Sequence, residues 1–122
     1  VTTSRLNPIP FVRDGECRHC RRAVQPPKMN WCSKACITAA LIRKGDAGVV
    51  RRELRKRDKG ICARCGVDAR YDGWEADHIM PVSEGGGGCD LDGYRTLCIP
   101  CHKIETAQLA ARRARARRIG VR

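Results

Sequence analysis

The chain has 122 residues, a formal charge of +12, nine cysteines and only 4% aromatic residues. A chain of this length allows one compact domain or two very small ones, and with so few aromatics it calls for staples beyond its apolar core. No stretch approaches a bilayer span, no secretory signal is visible and no amphipathic apolar face suits a membrane surface, so a polyanion, nucleic acid first, is the expected partner.

Residues 1–16 carry Pro8 and Pro10 without periodic pattern and predict an extended arm. The first residue is Val1, not Met, which points to processing or excision from a larger chain. Cys17-x-x-Cys20 reads as a metal knuckle, and Pro26-Pro27 breaks the chain before Trp31. Cys32-x-x-x-Cys36 then opens a helix expected from Ser33 to about Lys44, with Ser33 as N-cap. A knuckle followed by a cysteine pair at a helix start is the layout of a treble-clef zinc finger. Gly45-Asp46-Ala47-Gly48 reads as a helix stop and linker.

Residues 49–58 predict a short basic helix, with Val50 and Leu54 facing inward at i,i+4. A second knuckle follows at Cys62 and Cys65. Trp74 to Val82 reads as a strand limited by Pro81, Gly85 to Gly88 as a loop, and Leu91 to Leu97 as the return segment. The last helix is expected to start at Cys98 and Cys101 and to reach about Arg118. The expected fold class is α+β, a small zinc-stapled protein with two treble-clef modules that share little core and rest on the central helix. The expected division is 1–48, an arm plus a four-cysteine zinc module, and 49–122, a second module with a basic C-terminal helix.

Eight cysteines fall into four close pairs, Cys17/Cys20, Cys32/Cys36, Cys62/Cys65 and Cys98/Cys101, and Cys89 stands alone. A disulfide framework leaves an odd thiol and does not explain the paired spacing. Two or three intervening residues let one turn present two thiolates to a tetrahedral Zn²⁺. Two structural Zn²⁺ are therefore expected, in a reducing intracellular compartment such as cytoplasm, nucleoid or nucleus. Eight thiolates around two Zn²⁺ subtract four charges and leave the chain at +8, still strongly basic.

The basic residues are unevenly placed. Arg51, Arg52, Arg55, Lys56, Arg57 and Lys59 crowd one element, and after Glu105 the tail carries Arg112, Arg113, Arg115, Arg117, Arg118 and Arg122 without one acid. A merely solvated helix usually balances its charge. Phosphate contacts, salt-dependent and largely sequence-tolerant, are the expected use of these runs. Trp31 and Trp74 are expected in the core, His19 on the surface and Cys89 as an unliganded loop thiol.

Asp77-His78-Ile79 followed by Cys98-x-x-Cys101-His102 resembles the HNH endonucleases of the ββα-metal, or His-Me finger, class. The resemblance runs from Gly60 to Thr106 and includes the knuckle, the glycine loop and the segment Leu91 to Lys103. In this form it is similar to the HNH domain of annealing helicases and to standalone bacterial and phage HNH proteins. The resemblance implies that His78 is the general base, that Asp77 and His102 hold one catalytic divalent metal, and that Cys62, Cys65, Cys98 and Cys101 hold a structural zinc. Cys17, Cys20, Cys32 and Cys36 would hold the other. Histidine suits a base near neutral pH, and a carboxylate–imidazole pair suits Mg²⁺, Mn²⁺, Ni²⁺ or Zn²⁺.

The resemblance also implies metal-dependent hydrolysis of DNA phosphodiester bonds, leaving 5′-phosphate and 3′-hydroxyl ends. One site per chain would nick one strand at a time. Fusion to, or association with, a helicase or other DNA-processing protein fits the same picture. The family's middle Asn, which braces the base-bearing loop, falls at Gly93. Asp90 or Asp92 could supply that brace. The alternative is a non-catalytic, zinc-stabilised DNA-binding or structure-recognition module with a decayed HNH site. A regular strand would also point Asp77 and His78 to opposite faces, so both reach one phosphate only if the backbone kinks near Ile79-Met80-Pro81.

Overall fold

The computed structural model describes residues 15–28 and 30–120. Nearly all of the expected N-terminal arm, and Arg122 of the basic tail, lie outside the described residues. Helix α1 (Lys34–Lys44) begins where the Ser33 hydroxyl accepts a hydrogen bond from the Cys36 N–H at 3.2 Å. It ends at Gly45, whose φ of 85° suits glycine, with the Gly45 N–H donating to the Ile42 carbonyl and the Asp46 N–H to Leu41.

Helix α2 (Ala47–Asp58) follows almost at once, two residues earlier than its charge pattern implied. The Asp46 carboxylate accepts from the Val49 N–H at 3.0 Å and so caps it. One left-handed glycine and one capping aspartate join the two helices, and the expected four-residue linker shrinks to Gly45-Asp46. Val50 and Leu54 face inward as expected.

Strands β1 (Trp74–His78) and β2 (Tyr94–Cys98) form a two-stranded antiparallel sheet, with Trp74 opposite Cys98 and His78 opposite Tyr94. The first strand stops four residues short of the expected Val82. Ile79 and Met80 bend, and Val82–Glu84 form a 3-10 turn. Pro81 has no N–H to give a ladder. The glycine loop also folds back so closely that a Cβ on Gly86 would sit 1.6 Å from the Met80 carbonyl oxygen. The return segment opens with a 3-10 turn, Leu91–Gly93, before β2. Helix α3 (Ile99–Arg118) carries Pro100 in its first turn, where a missing N–H is tolerated.

One core joins Ile42 of α1, Val50 and Leu54 of α2, Trp74, Tyr94 and Leu97 of the sheet, and Cys62, Cys98 and Cys101. Helix α2 packs against α1 and both strands, and so links the two zinc modules. Trp31 is half-buried outside this cluster. Leu54 is fully buried at the centre. Leu54→Ala is expected to lower unfolding free energy by about 2–5 kcal/mol in a denaturant titration.

A polar clamp closes the same interface. Thr96, fully buried, donates its hydroxyl to Asp58 at 2.8 Å, and Arg57 holds Asp58 at 2.8 Å. The Arg57 hydrogen bond, then burial opposing it and the Thr96 hydroxyl, leave Asp58 below the usual carboxylate range. Arg57 also donates to the Leu91 and Tyr94 carbonyls. The second knuckle docks on β2 through the Ala63 N–H and the Thr96 carbonyl at 2.8 Å. The protein is therefore α+β, with two four-cysteine groups able to hold zinc.

Candidate active site

Both knuckles are short hairpins, closed by the bridges Glu16–Ala23 and Ile61–Asp68. Each aims two thiols at the start of a helix. Cys17, Cys20, Cys32 and Cys36 bring their sulfurs within 4.8 Å of one another, as do Cys62, Cys65, Cys98 and Cys101. All nine thiols are free of disulfides, and Cys89 stands half-buried outside both groups.

In each group one thiol is easy to ionise and one is hard. Burial pushes Cys62 up, but N–H groups of Cys98, Cys65 and Arg64 outweigh it and bring it to about 6. Cys17 is likewise about 6, its burial outweighed by N–H groups of Cys20, Cys32 and His19. Cys36 is pushed up to about 12, first by its hydrogen bond with Cys32 and then by burial. Cys98 also stands at about 12, because burial and its neighbouring thiols outweigh the Cys101 N–H. Four thiolates this close repel one another, and a divalent cation at their centre removes that penalty. The donor set and spacing fit tetrahedral Zn²⁺.

A cavity of about 300 Å³ opens between β1, the turn after it, and α3. Asp77, His78 and His102 all line it. Both Asp77 and His78 border this space although they are consecutive in β1, and the chain bends directly after them at Ile79 and Met80. The His78 ring lies 4.4 Å, centroid to centroid, from Tyr94, its cross-strand partner. Burial lowers the His78 pKa, against the opposing charge of Asp77. Asp77 accepts from Arg95 Nε at 3.1 Å. Among the described residues the His102 side chain makes no protein hydrogen bond. The trio does not converge within 4.8 Å as the thiols do.

The loop that follows His78 is braced by backbone. The Ile79 N–H donates to the Gly93 carbonyl at 2.9 Å, and Gly93 in turn donates to the Asp90 carbonyl. Neither aspartate's carboxylate supplies the brace among the described residues. Asp90 is held by Arg43 of α1 at 2.6 Å, and Asp92 is exposed. A Cβ at position 93 would lie 2.6 Å from both Cβ and Sγ of Cys89. An Asn there would require the Cys89 loop to move.

The cationic residues divide in two. Arg51 stacks 4.1 Å above Trp74 and donates to its carbonyl, and Arg57 is turned into the clamp described above. Arg52 and Lys56 both pair with Glu53. Arg55 is exposed, its guanidinium 6.0 Å from the Trp74 ring centroid. On α3, Arg112, which lines the cavity, pairs with Glu84 at 3.5 Å. Among the described residues Arg113, Arg115, Arg117 and Arg118 are in no ion pair. They extend the helix beyond the cavity, where alanine and arginine propensity rather than packing maintains it.

Among the cavity residues not singled out from the sequence are Arg95, Glu105 and Leu109. Glu105 and Leu109 share a helix face with His102, at i+3 and i+7, a signal available in principle. Arg95 depends on strand register, which places it opposite Asp77.

A family model described as HNH endonuclease matches residues 62–108. Residues 62–108 are an HNH endonuclease domain. The HNH domain also matches the DNA annealing helicase and endonuclease ZRANB3 of Mus musculus, 54% identical over 48 residues. The same protein of Bos taurus is 56% identical over 45 residues, and that of Homo sapiens 53% over 45. These matches cover 37–39% of this chain but only 4% of each relative. No solved structure matches significantly. The HNH domain implies a nuclease or DNA-related function, with its four thiols forming a knuckle able to hold zinc. No helix among the described residues is long and apolar enough to cross a membrane.

Proposed function

We propose that this chain is a metal-dependent DNA endonuclease that nicks one strand per visit. The HNH part, 49–122, would carry the chemistry, and the zinc module of 1–48 would buttress it. The observation that carries the reading is that a half-buried His78, its pKa lowered by burial, shares one cavity with Asp77 and His102. A carboxylate on β1 and an imidazole on α3, lining one cavity of about 300 Å³, fit a hard or borderline divalent ion. That ion, when bound, supplies the charge neutralisation a phosphodiester needs as it gains a fifth oxygen.

His78 then accepts a proton at its imidazole from the attacking water, and Tyr94 packs against the ring to fix its plane. Desolvation favours the unprotonated ring, which is what a base needs. Arg112 and the arginines beyond it give the DNA backbone a positively charged track leaving the cavity. The products are a 5′-phosphate and a 3′-hydroxyl. Double-strand cutting would need a dimer or two visits. Association with a helicase belongs to this reading, because the matched relatives are named as helicase and endonuclease together.

The decayed-site alternative draws on Gly93, which lacks the bracing side chain. The Ile79-to-Gly93 backbone bond favours the active reading instead. The deciding assay is nicking of supercoiled plasmid by zinc-loaded protein with EDTA, Mg²⁺, Mn²⁺ or Ni²⁺. Metal-dependent nicking supports the nuclease. Salt-sensitive binding without nicking under any metal points to the binding module. Replacing Arg113, Arg115, Arg117 and Arg118 together by Ala is expected to weaken duplex binding regardless of sequence. The log K against log salt slope should flatten by about 0.9 for each phosphate that is no longer neutralised. An unchanged slope would show that these arginines do not touch DNA.

A further inference from the structure

The charges around Asp77 form a chain that the proposed chemistry does not use. Arg95 faces Asp77 across the sheet and gives its Nε to Asp77 Oδ2 at 3.1 Å. The other end of the same guanidinium lies 3.5 Å from Glu105 on α3. Glu105 in turn sits 3.3 Å from Arg64 of the knuckle, and Arg64 reaches toward the Cys101 sulfur at 3.8 Å. Asp77, Arg95 and Glu105 are each only about a quarter exposed. Screening by water and salt is therefore weaker than at an open surface pair.

One carboxylate oxygen of Asp77 is already engaged by a full positive charge, so a divalent ion that takes this carboxylate meets a like charge within ionic reach. Glu105, anchored by Arg64, offers that guanidinium a second partner in the same cavity. We infer that Arg95 is a displaceable counter-ion of Asp77 that sets the divalent-metal affinity of the site, with Glu105 holding the guanidinium once the metal has displaced it. Arg95 and Glu105 are thus positioning residues. The inference rests on the reading of Asp77 as a metal ligand.

The test is Mn²⁺ binding to zinc-loaded full chain by calorimetry, without DNA, with zinc content verified afterwards. Arg95→Met is expected to bind Mn²⁺ about fivefold more tightly, the scale of one partly exposed ion pair. Arg112→Met lines the same cavity but pairs with Glu84, so it should change affinity much less. An equal gain in both variants would mean general loss of positive charge and would overturn the inference. Glu105→Gln is expected to weaken Mn²⁺ binding in the parent chain but to have little effect beside Arg95→Met. An undiminished effect there would overturn the part assigned to Glu105. Asp77→Asn separates the two levels. If it abolishes binding while Arg95→Met matches the parent, only the inference fails. If it binds like the parent, or the parent and Arg95→Met both fail to bind Mn²⁺, the ligand reading fails and the inference with it.

Discussion

His78→Ala is expected to lower metal-dependent plasmid nicking by about a thousandfold, within the range a positioned general base contributes. Zinc content and DNA affinity should stay at the parent's values. The expectation rests on position: His78 borders the cavity at the end of β1 and belongs to neither thiol group. The ring is partly exposed, so its loss leaves no large hole in the core. Nicking at the parent rate by this variant would remove His78 from the mechanism. A parallel fall in zinc content would show that the residue serves the fold.

Cys101→Ser is expected to have the largest effect on stability. Zinc should fall from about two ions per chain to about one, and the HNH domain should lose its cooperative melting transition. A structural zinc contributes about 10–16 kcal/mol of apparent binding free energy, as much as the whole stability of a typical small domain. Metal site and core are also one structure here, because Cys62, Cys98 and Cys101 are themselves members of the buried cluster. Elemental analysis and a thermal melt followed by circular dichroism would measure both quantities. Cys89→Ser is the control, since Cys89 lies outside both thiol groups and should retain two zincs. Unchanged zinc and an unchanged melt in Cys101→Ser would rule out a four-thiolate site there.

Much of this was legible from local pattern. Cysteine spacing marked both thiol groups, because two ligands on one turn must be separated by two or three residues. Ser33 announced α1 through its side-chain acceptor, and Val50 and Leu54 announced the buried face of α2 through helical period. Asp77-His78 with Cys98-x-x-Cys101-His102 marked the HNH domain, which the family match places at residues 62–108. Boundaries were less legible. Asp46 starts α2 earlier than its charge pattern implied, and Pro81 with the folded-back glycine loop ends β1 at His78.

The basic runs show the limit most clearly. In sequence, Arg51 and Arg57 look like Arg113 and Arg115. In the fold, Arg51 lies on Trp74 and Arg57 ties α2 to β2, whereas among the described residues Arg113 and Arg115 have no ion pair. Side-chain type and spacing along one element determined the helices, the thiol groups and the family. Only tertiary structure decided which arginines remain outward, that Arg95 meets Asp77 and that His78 and His102 share a cavity. Those outcomes depend on strand register and on how a helix docks on a sheet, and both are set by contacts between residues far apart in the chain.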